Sequence, residues 1–225
     1  MNINDVKKFS LFAKDKGVSS IKQHRYNELI QNGYQTPYIL EERQMNVTQM
    51  DVFSRLLMER IIWVAGIIDD DISTIVQAQL MFLDNLDHND ITIHIDTNGG
   101  SVKSGLSMID VMDYIKSDIR TVNTGMAASM GAVLLGAGTK GKRSSLRFSK
   151  TMIHQSSGGF SGNIQDAEIT MKEWEKYNNI LFDLLGEYCN KSPEQVKKDS
   201  ERDKWLSAEE AVSYGIIDNI ITKKH

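Results

Sequence analysis

A chain of 225 residues, 40% hydrophobic and 25% charged, is long enough for a sizeable core and composed like an ordinary soluble globular protein. Its net charge of -4 supplies no basic footprint for nucleic acid, and no uninterrupted apolar stretch approaches the roughly 20 residues of a membrane span. A single cysteine, Cys189, excludes an internal disulfide, and the charged start from Met1 to Lys16 lacks the apolar core of a secretory signal, so the expected compartment is the cytoplasm.

Residues 1–36 are polar, lack a sustained hydrophobic period, and read as a mobile N-terminal extension or a removable leader; residues 37–225 read as a single domain. Residues 52–58 predict a short amphipathic helix, and residues 60–66 an apolar strand closed by Gly66. Apolar side chains at Ile72, Ile75, Val76, Leu80, Leu83 and Leu86 recur at helical spacing. Ile91 to Asp96 alternates as a strand does, and Thr97-Asn98-Gly99-Gly100 reads as a turn. The pattern then repeats, with a helix over 105–115, a strand over 119–124 and a helix over 128–136. Short strands follow at 146–148 and 151–154, and the glycine-rich stretch 158–162 opens a long helix over 166–187. Helix start signals stand at Ser192-Pro193-Glu194 and Ser207-Ala208-Glu209-Glu210. Strands alternating with helices predict an α/β fold with a largely parallel sheet.

Three short segments bear chemistry. Ser129 stands among Gly125, Met126, Ala127, Ala128, Met130 and Gly131, where a predicted strand gives way to a helix. Small neighbours let a substrate backbone approach, and a helix N-terminus offers unpaired amides to a developing oxyanion. A helix-capping serine in a small-residue packing patch accounts for the local sequence equally well. The segment is not a Gly-x-Ser-x-Gly elbow, which speaks against an α/β-hydrolase. His154 ends the apolar Thr151-Met152-Ile153 beside Gln155, a good place for a general base, although a hydrogen-bonded structural histidine is the commoner occupant there. Asp203 follows Glu201-Arg202 in a charged run, where a solvated face is the ordinary reading. A serine hydroxyl becomes a nucleophile when an imidazole takes its proton, and the imidazole needs a carboxylate to hold its tautomer. Together the three residues suit acyl-bond hydrolysis.

Other features carry less. Gly99-Gly100 offers backbone amides to an oxyanion or simply makes a turn. His24, His88, His94 and His225 form no metal-ligand spacing, so no metal is expected, and Cys189 reads as a small core residue. Gly136 to Lys142 has the outline of a phosphate loop, but Arg143 stands where Ser or Thr is needed, and a basic turn is the better reading.

The segments Ser54-Arg55-Leu56-Leu57, Glu59-Arg60-Ile61-Ile62, Gly99-Gly100, Gly125 to Gly131, Gly138 to Arg143, Met152-Ile153-His154-Gln155, Glu201-Arg202-Asp203, Leu206 to Ala211 and Tyr214 to Asp218 occur in order along the chain. Together they resemble the ClpP family, the proteolytic subunits of the caseinolytic protease system, over about residues 38–222. The resemblance implies a ClpP/crotonase-like α/β fold of stacked, repeated β-β-α units, with a protruding handle made of a strand and a long helix. It implies a serine endopeptidase with nucleophile Ser129, general base His154 and orienting acid Asp203, and an oxyanion hole from the backbone amides of Gly100 and Met130. It further implies two seven-membered rings, of this chain alone or with a ClpP paralogue, stacked around a closed chamber. The handle near residues 158–162 would join the rings and pair with extended substrate as an added strand, and Arg202 would belong to the ring-ring contact. The partner would be a hexameric Clp ATPase unfoldase, so ATP is used there and this chain needs no cofactor. Unfolded polypeptides and short peptides would be substrates, with no nucleic acid or membrane partner.

Departures from the family pattern border the cleft and the outer face. The family usually reads Ser-Pro-Gly-Gly where Thr97-Asn98-Gly99-Gly100 stands, and proline where Ser156 stands. Positions that line its docking pockets for unfoldase loops, usually aromatic or apolar, match Thr92, His94, Tyr114, Val122, Thr124, Ser144 and Leu146. An apolar loop gains about 25 cal/mol per Å² buried, so polar walls predict weak or unusual docking. An accessory ring subunit paired with a more typical paralogue is therefore the alternative reading. The acyl-CoA hydratases of the same superfamily fold also use glycine-rich oxyanion holes, but their acid-base pairs have no counterpart here.

Overall fold

The computed structural model describes residues 38–43, 46–156 and 163–222. The extension expected at residues 1–36 and the handle strand expected at 158–162 lie outside the described residues. The chain forms two compact units, divided after Ser54. In the first, β1 (Tyr38–Arg43) pairs antiparallel with β2 (Asn46–Asp51). Helix α1 (Val52–Met58) starts where the Ser54 amide donates to the Asp51 carboxylate at 3.0 Å.

The second unit is organised by a sheet in the order β3 (Ile61–Ile68), β4 (Ile91–Gly100), β5 (Ile119–Ala128), β6 (Arg143–Leu146) and β9 (Asn219–Ile221). Strand β7 (Lys150–Ile153) also pairs with β5, and β8 (Lys204–Leu206) pairs with β7. Every pairing is parallel except the β7–β8 pair. Parallel neighbours need crossovers, which helices supply here: α2 (Asp70–Leu86) joins β3 to β4, and α3 (Val102–Tyr114) joins β4 to β5. The remaining helices are α4 (Met130–Gly136), α5 (Ile164–Cys189), α6 (Pro193–Asp199) and α7 (Ala208–Tyr214).

Period-two alternation puts Ile62 and Val64 of β3 and Ile91, Ile93 and Ile95 of β4 on the core face. Helix α2 presents Val76, Leu80 and Leu83 to that core, and α3 presents Met108, Ile109 and Met112. Every residue of α4 is buried, as a helix apolar all round must be. Only the second half of α5 enters the core, through Leu181, Phe182, Leu185 and Cys189. Caps follow the expected chemistry: Asp69 accepts from the Ile72 amide at 2.9 Å, and Ser207 forms a capping box with Glu210.

Several boundaries differ from those the sequence predicts. Gly66 does not end β3; it sits at φ +80 where the pairing register shifts between Ala65 and Ile67, and the strand resumes. Thr97 to Gly100 is strand, not turn, beyond a second shift between Ile95 and Thr97. Glycine marks a bulge in a strand as readily as a turn between strands. The long strands change partners along their length: β5 pairs with β6 at Thr121 to Asn123 and with β7 at Met126 to Ala128. The strand expected at 146–148 lies earlier, at Arg143–Leu146, and Ala128 belongs to the strand before α4. Strands β8 and β9, three residues each, are too short to show a period.

The basic turn that mimics a phosphate loop ends in a buried ion pair. Arg143 opens β6 and donates to Asp218 through Nε at 3.0 Å and Nη2 at 2.6 Å, with only 5% of its side chain exposed. Its Nη1 donates to the Tyr188 carbonyl at 2.9 Å. Burial alone would raise the Asp218 carboxyl, but hydrogen bonds from Arg143 and the Gly141 amide outweigh it and hold the group below its ordinary value. Arg143→Ala leaves that partly buried carboxylate without its cation, so we expect a loss of about 2 kcal/mol in urea unfolding at neutral pH. A depressed carboxyl stabilises the fold above its unfolded pKa and loses that effect as pH falls through the folded value. The gap between wild type and variant should therefore narrow below about pH 4.

Candidate active site

Strand β5 carries the serine to the site. Ala128 pairs with Met152 of β7, and the Ser129 amide donates to the Met152 carbonyl at 2.8 Å. The chain then turns sharply into α4, with Ser129 at φ 56 and ψ -123. A non-glycine residue held there stores about 1–3 kcal/mol of strain, which the surrounding packing must overcome. Although Ser129 occupies the N-cap position, its side chain makes no cap hydrogen bond. Its hydroxyl instead lies 2.9 Å from His154 Nε2. The capping-serine reading does not hold, and a strand-to-helix elbow forms without the Gly-x-Ser-x-Gly motif.

His154 and Asp203 arrive by register. Antiparallel β7 and β8 pair Thr151 with Leu206, Met152 with Trp205 and Ile153 with Lys204. One step further sets His154 opposite Asp203. His154 Nδ1 lies 3.2 Å from Asp203 Oδ1, so an Nδ1–H donates to the carboxylate and leaves Nε2 to accept from Ser129. Gln155 fastens the loop before Asp203: its amide donates to the Ser200 carbonyl at 2.9 Å and its side-chain amide to the Glu201 carbonyl at 3.4 Å. On the other side, the Ser156 amide and hydroxyl both donate to Asn178 Oδ1 of α5, at 3.0 and 2.8 Å. Asn178 has no sequence signal beyond being a polar residue in a long helix.

An apolar pocket opens beside the serine, lined by Val102, Met130, Val133, Ile153, Leu181 and Phe182 with His154 and Ser156 at its polar side. The glycine pair closes the site from β4. A Cβ on Gly99, at φ +95, would lie 2.7 Å from the Ala128 carbonyl oxygen and 2.8 Å from the Ser129 Cβ. A Cβ on Gly100, at φ +154, would lie 2.2 Å from the Ile68 carbonyl oxygen. Gly100 stands next to β3 while Gly99 touches the serine turn, a steric role for Gly99 that spacing alone does not reveal. Arg202 is exposed, one residue before the acid. No group of three or more His, Cys, Asp or Glu side chains among the described residues could hold a metal ion.

Thr92, His94, Val122 and Ser144 share the outer face of the sheet, set side by side by the register of β4, β5 and β6. His94 stacks on Trp63 of β3 with ring centroids 4.8 Å apart and an interplanar angle of 15°. Burial lowers the His94 pKa, which keeps the ring neutral against the indole. The Ser144 hydroxyl donates to the Thr121 carbonyl and the Thr124 hydroxyl to the Ile95 carbonyl, each at 3.2 Å. Those hydroxyls therefore have acceptors within the chain and do not burden the surface with unmet hydrogen bonds. Trp63, 38% exposed, gives this face aromatic surface that the aligned positions alone do not imply, and Tyr114 at the end of α3 is 77% exposed.

A family model described as Clp protease matches residues 43–224. The ATP-dependent Clp protease proteolytic subunit of Bacteroides fragilis is 51% identical over 195 residues, which cover 86% of this chain and 94% of that relative. The subunits of the same name from Bacteroides thetaiotaomicron and Porphyromonas gingivalis are each 50% identical over 195 residues, covering 86% of this chain and 89% and 88% of those relatives.

Because Gly99 has no room for a side chain, Gly99→Ala must push on the serine turn itself. We expect labelling of Ser129 by a fluorophosphonate probe to slow by about 100-fold, the usual scale for displacing a catalytic group. Wild-type labelling kinetics would show that the turn can yield.

Proposed function

The chain belongs to the Clp protease family and is a serine endopeptidase subunit, and we propose that Ser129 is its nucleophile, His154 its general base and Asp203 the acid that orients the base. The observation that carries this reading is the continuous relay through one imidazole, 2.9 Å to the hydroxyl and 3.2 Å to the carboxylate. As Ser129 Oγ attacks the scissile carbonyl carbon, His154 Nε2 takes its proton, and Asp203 stabilises the imidazolium without taking a proton itself. The backbone amides of Gly100 and Met130 receive the oxyanion. His154 then protonates the departing amine, leaving an acyl-enzyme. Water, deprotonated by the same imidazole, attacks the ester carbon and releases the acid and the serine. The apolar pocket favours an apolar side chain on the residue whose carbonyl is attacked.

The subunit works as an oligomer with a Clp ATPase, which hydrolyses the ATP, so this chain carries no cofactor of its own. Two stacked seven-membered rings fit the exposed first half of α5, where Ile164, Ile169 and Met171 present apolar surface, and the exposed Arg202 beside the acid. Residues 37–225 serve as one peptidase domain, preceded by an extension. The cytoplasm is the compartment consistent with one cysteine and with the absence, among the described residues, of any helix long and apolar enough to cross a membrane. The outer sheet face around Trp63, His94, Tyr114 and Leu146 is the place for an unfoldase loop, with Trp63 as an aromatic wall.

Cleavage of a short fluorogenic peptide by the purified chain tests the triad. Ser129→Ala should lower kcat by at least about 10⁴-fold and Asp203→Asn by about 10²- to 10⁴-fold. Activity that survives Ser129→Ala would reject the assignment, and silence from well-folded wild type would favour the accessory-subunit reading. For docking, Trp63→Ala and Tyr114→Ala should each weaken capture of the unfoldase by at least about tenfold, the scale of an aromatic anchor. Unchanged capture would move the docking site elsewhere.

A further inference from the structure

We propose that Asn178 is a positioning residue that ties the catalytic base to helix α5; the inference rests on the reading of His154 as that base. The need for such a tie follows from where His154 stands. Strand β7 ends at Ile153, so the base sits one residue beyond the last ladder pair, at the start of a segment without regular structure. A side chain there has the sheet behind it and no regular structure over residues 154–156. Two residues on, both donors of Ser156 converge on a single acceptor, Asn178 Oδ1, at 3.0 Å from the amide and 2.8 Å from the hydroxyl. Two bonds from one residue to one atom fix both the backbone and the side chain of Ser156. His154 is thereby held from both directions along the chain.

The position of Asn178 on its helix makes the clamp rigid. Leu181, Phe182, Leu185 and Cys189 follow it by three, four, seven and eleven residues, lie on the same helical face and are buried. None of the described α5 residues before Leu181 is buried. Asn178 therefore stands one turn before α5 enters the core, on the face turned toward the site. Of these buried residues, Leu181, Phe182 and Leu185 line the pocket together with Ser156 and His154. One helix thus holds the apolar wall and, through Asn178, the base, so the distance from pocket to base is set by a single rigid element.

A clamp of this kind acts on the placement of the base in the transition state, whereas a pocket residue acts on substrate affinity. The test is steady-state cleavage of a fluorogenic peptide with an apolar residue before the scissile bond, using the full-length oligomer. Asn178→Ala should lower kcat by about 10- to 100-fold while KM stays within about threefold. Asn178→Asp keeps an oxygen acceptor at the same reach and should return kcat to within about threefold of wild type. Ser156→Ala, which leaves α5 untouched and removes only the hydroxyl bond, should lower kcat by a smaller factor with KM again unmoved. Wild-type kcat in Asn178→Ala, a change confined to KM, or failure of Asn178→Asp to rescue would each overturn the proposal. If Asn178→Ala impairs folding or assembly, Ser156→Ala decides: a loss in kcat supports the clamp and none overturns it. Ser129→Ala run in parallel separates the two readings. Activity in Ser129→Ala would sink the triad, whereas a dead Ser129→Ala beside a fully active Asn178→Ala would sink the clamp alone.

Discussion

Met152 is gripped from both sides, paired with Ala128 of β5 in parallel and with Trp205 of β8 in antiparallel register. The Ser129–His154–Asp203 relay depends on that double pairing. From Ala128 the next residue is Ser129, from Met152 the chain reaches His154 in two steps, and from Trp205 it runs back two residues to Asp203. A slip of one residue in either ladder would send the imidazole to the opposite face of the sheet, away from one partner or both. Three side chains separated by up to 74 residues of sequence are thus aligned by a four-residue strand.

That alignment also explains why the strain at Ser129 persists. The left-handed turn is held by the Met152 carbonyl on one side, and by α4, buried at every residue, on the other. Gly99 comes so close from β4 that the turn has little room to relax toward an ordinary conformation. Relaxation would cost burial of Met130 and Leu134, each worth about 2–5 kcal/mol against truncation to alanine, more than the turn itself stores.

The sequence reveals the parts of this arrangement that local chemistry announces. Helices with caps and apolar faces, such as α2 and α7, stand where their residues predict, and Ser129 and His154 lie in segments whose composition suits their roles. The acid is harder to see because its credentials are not local. Asp203 belongs to a charged run, and the strand that places it is three residues long, too short for any period. Glycine misleads in the opposite way, since Gly66 looks like a strand end and Gly99-Gly100 like a turn, and both in fact sit in strands whose register shifts beside them. Trp63 and Asn178 escape notice for a third reason. Each gains its role only through a partner from another element, His94 for the one and Ser156 for the other.

Helix α5 joins the site to a surface far from it. Its second half is packed in the core beside the serine, while Ile164 near its start is 78% exposed. The 14 residues from Ile164 to Asn178 correspond to about 21 Å of helix at 1.5 Å per residue. A rod of that length is packed into the core at one end and carries the exposed apolar side chains Ile164, Ile169 and Met171 near the other. The packed end carries the pocket wall and the acceptor for Ser156, so a shift of that end would move the wall and the segment after His154 together. Displacements of about 1 Å in a catalytic group are enough to change rates by about 100-fold. On the proposed reading, a contact that shifted α5 would act on the chemistry without touching Ser129, His154 or Asp203, because strand β7 sets the register of His154 and α5 holds the residue two positions beyond it.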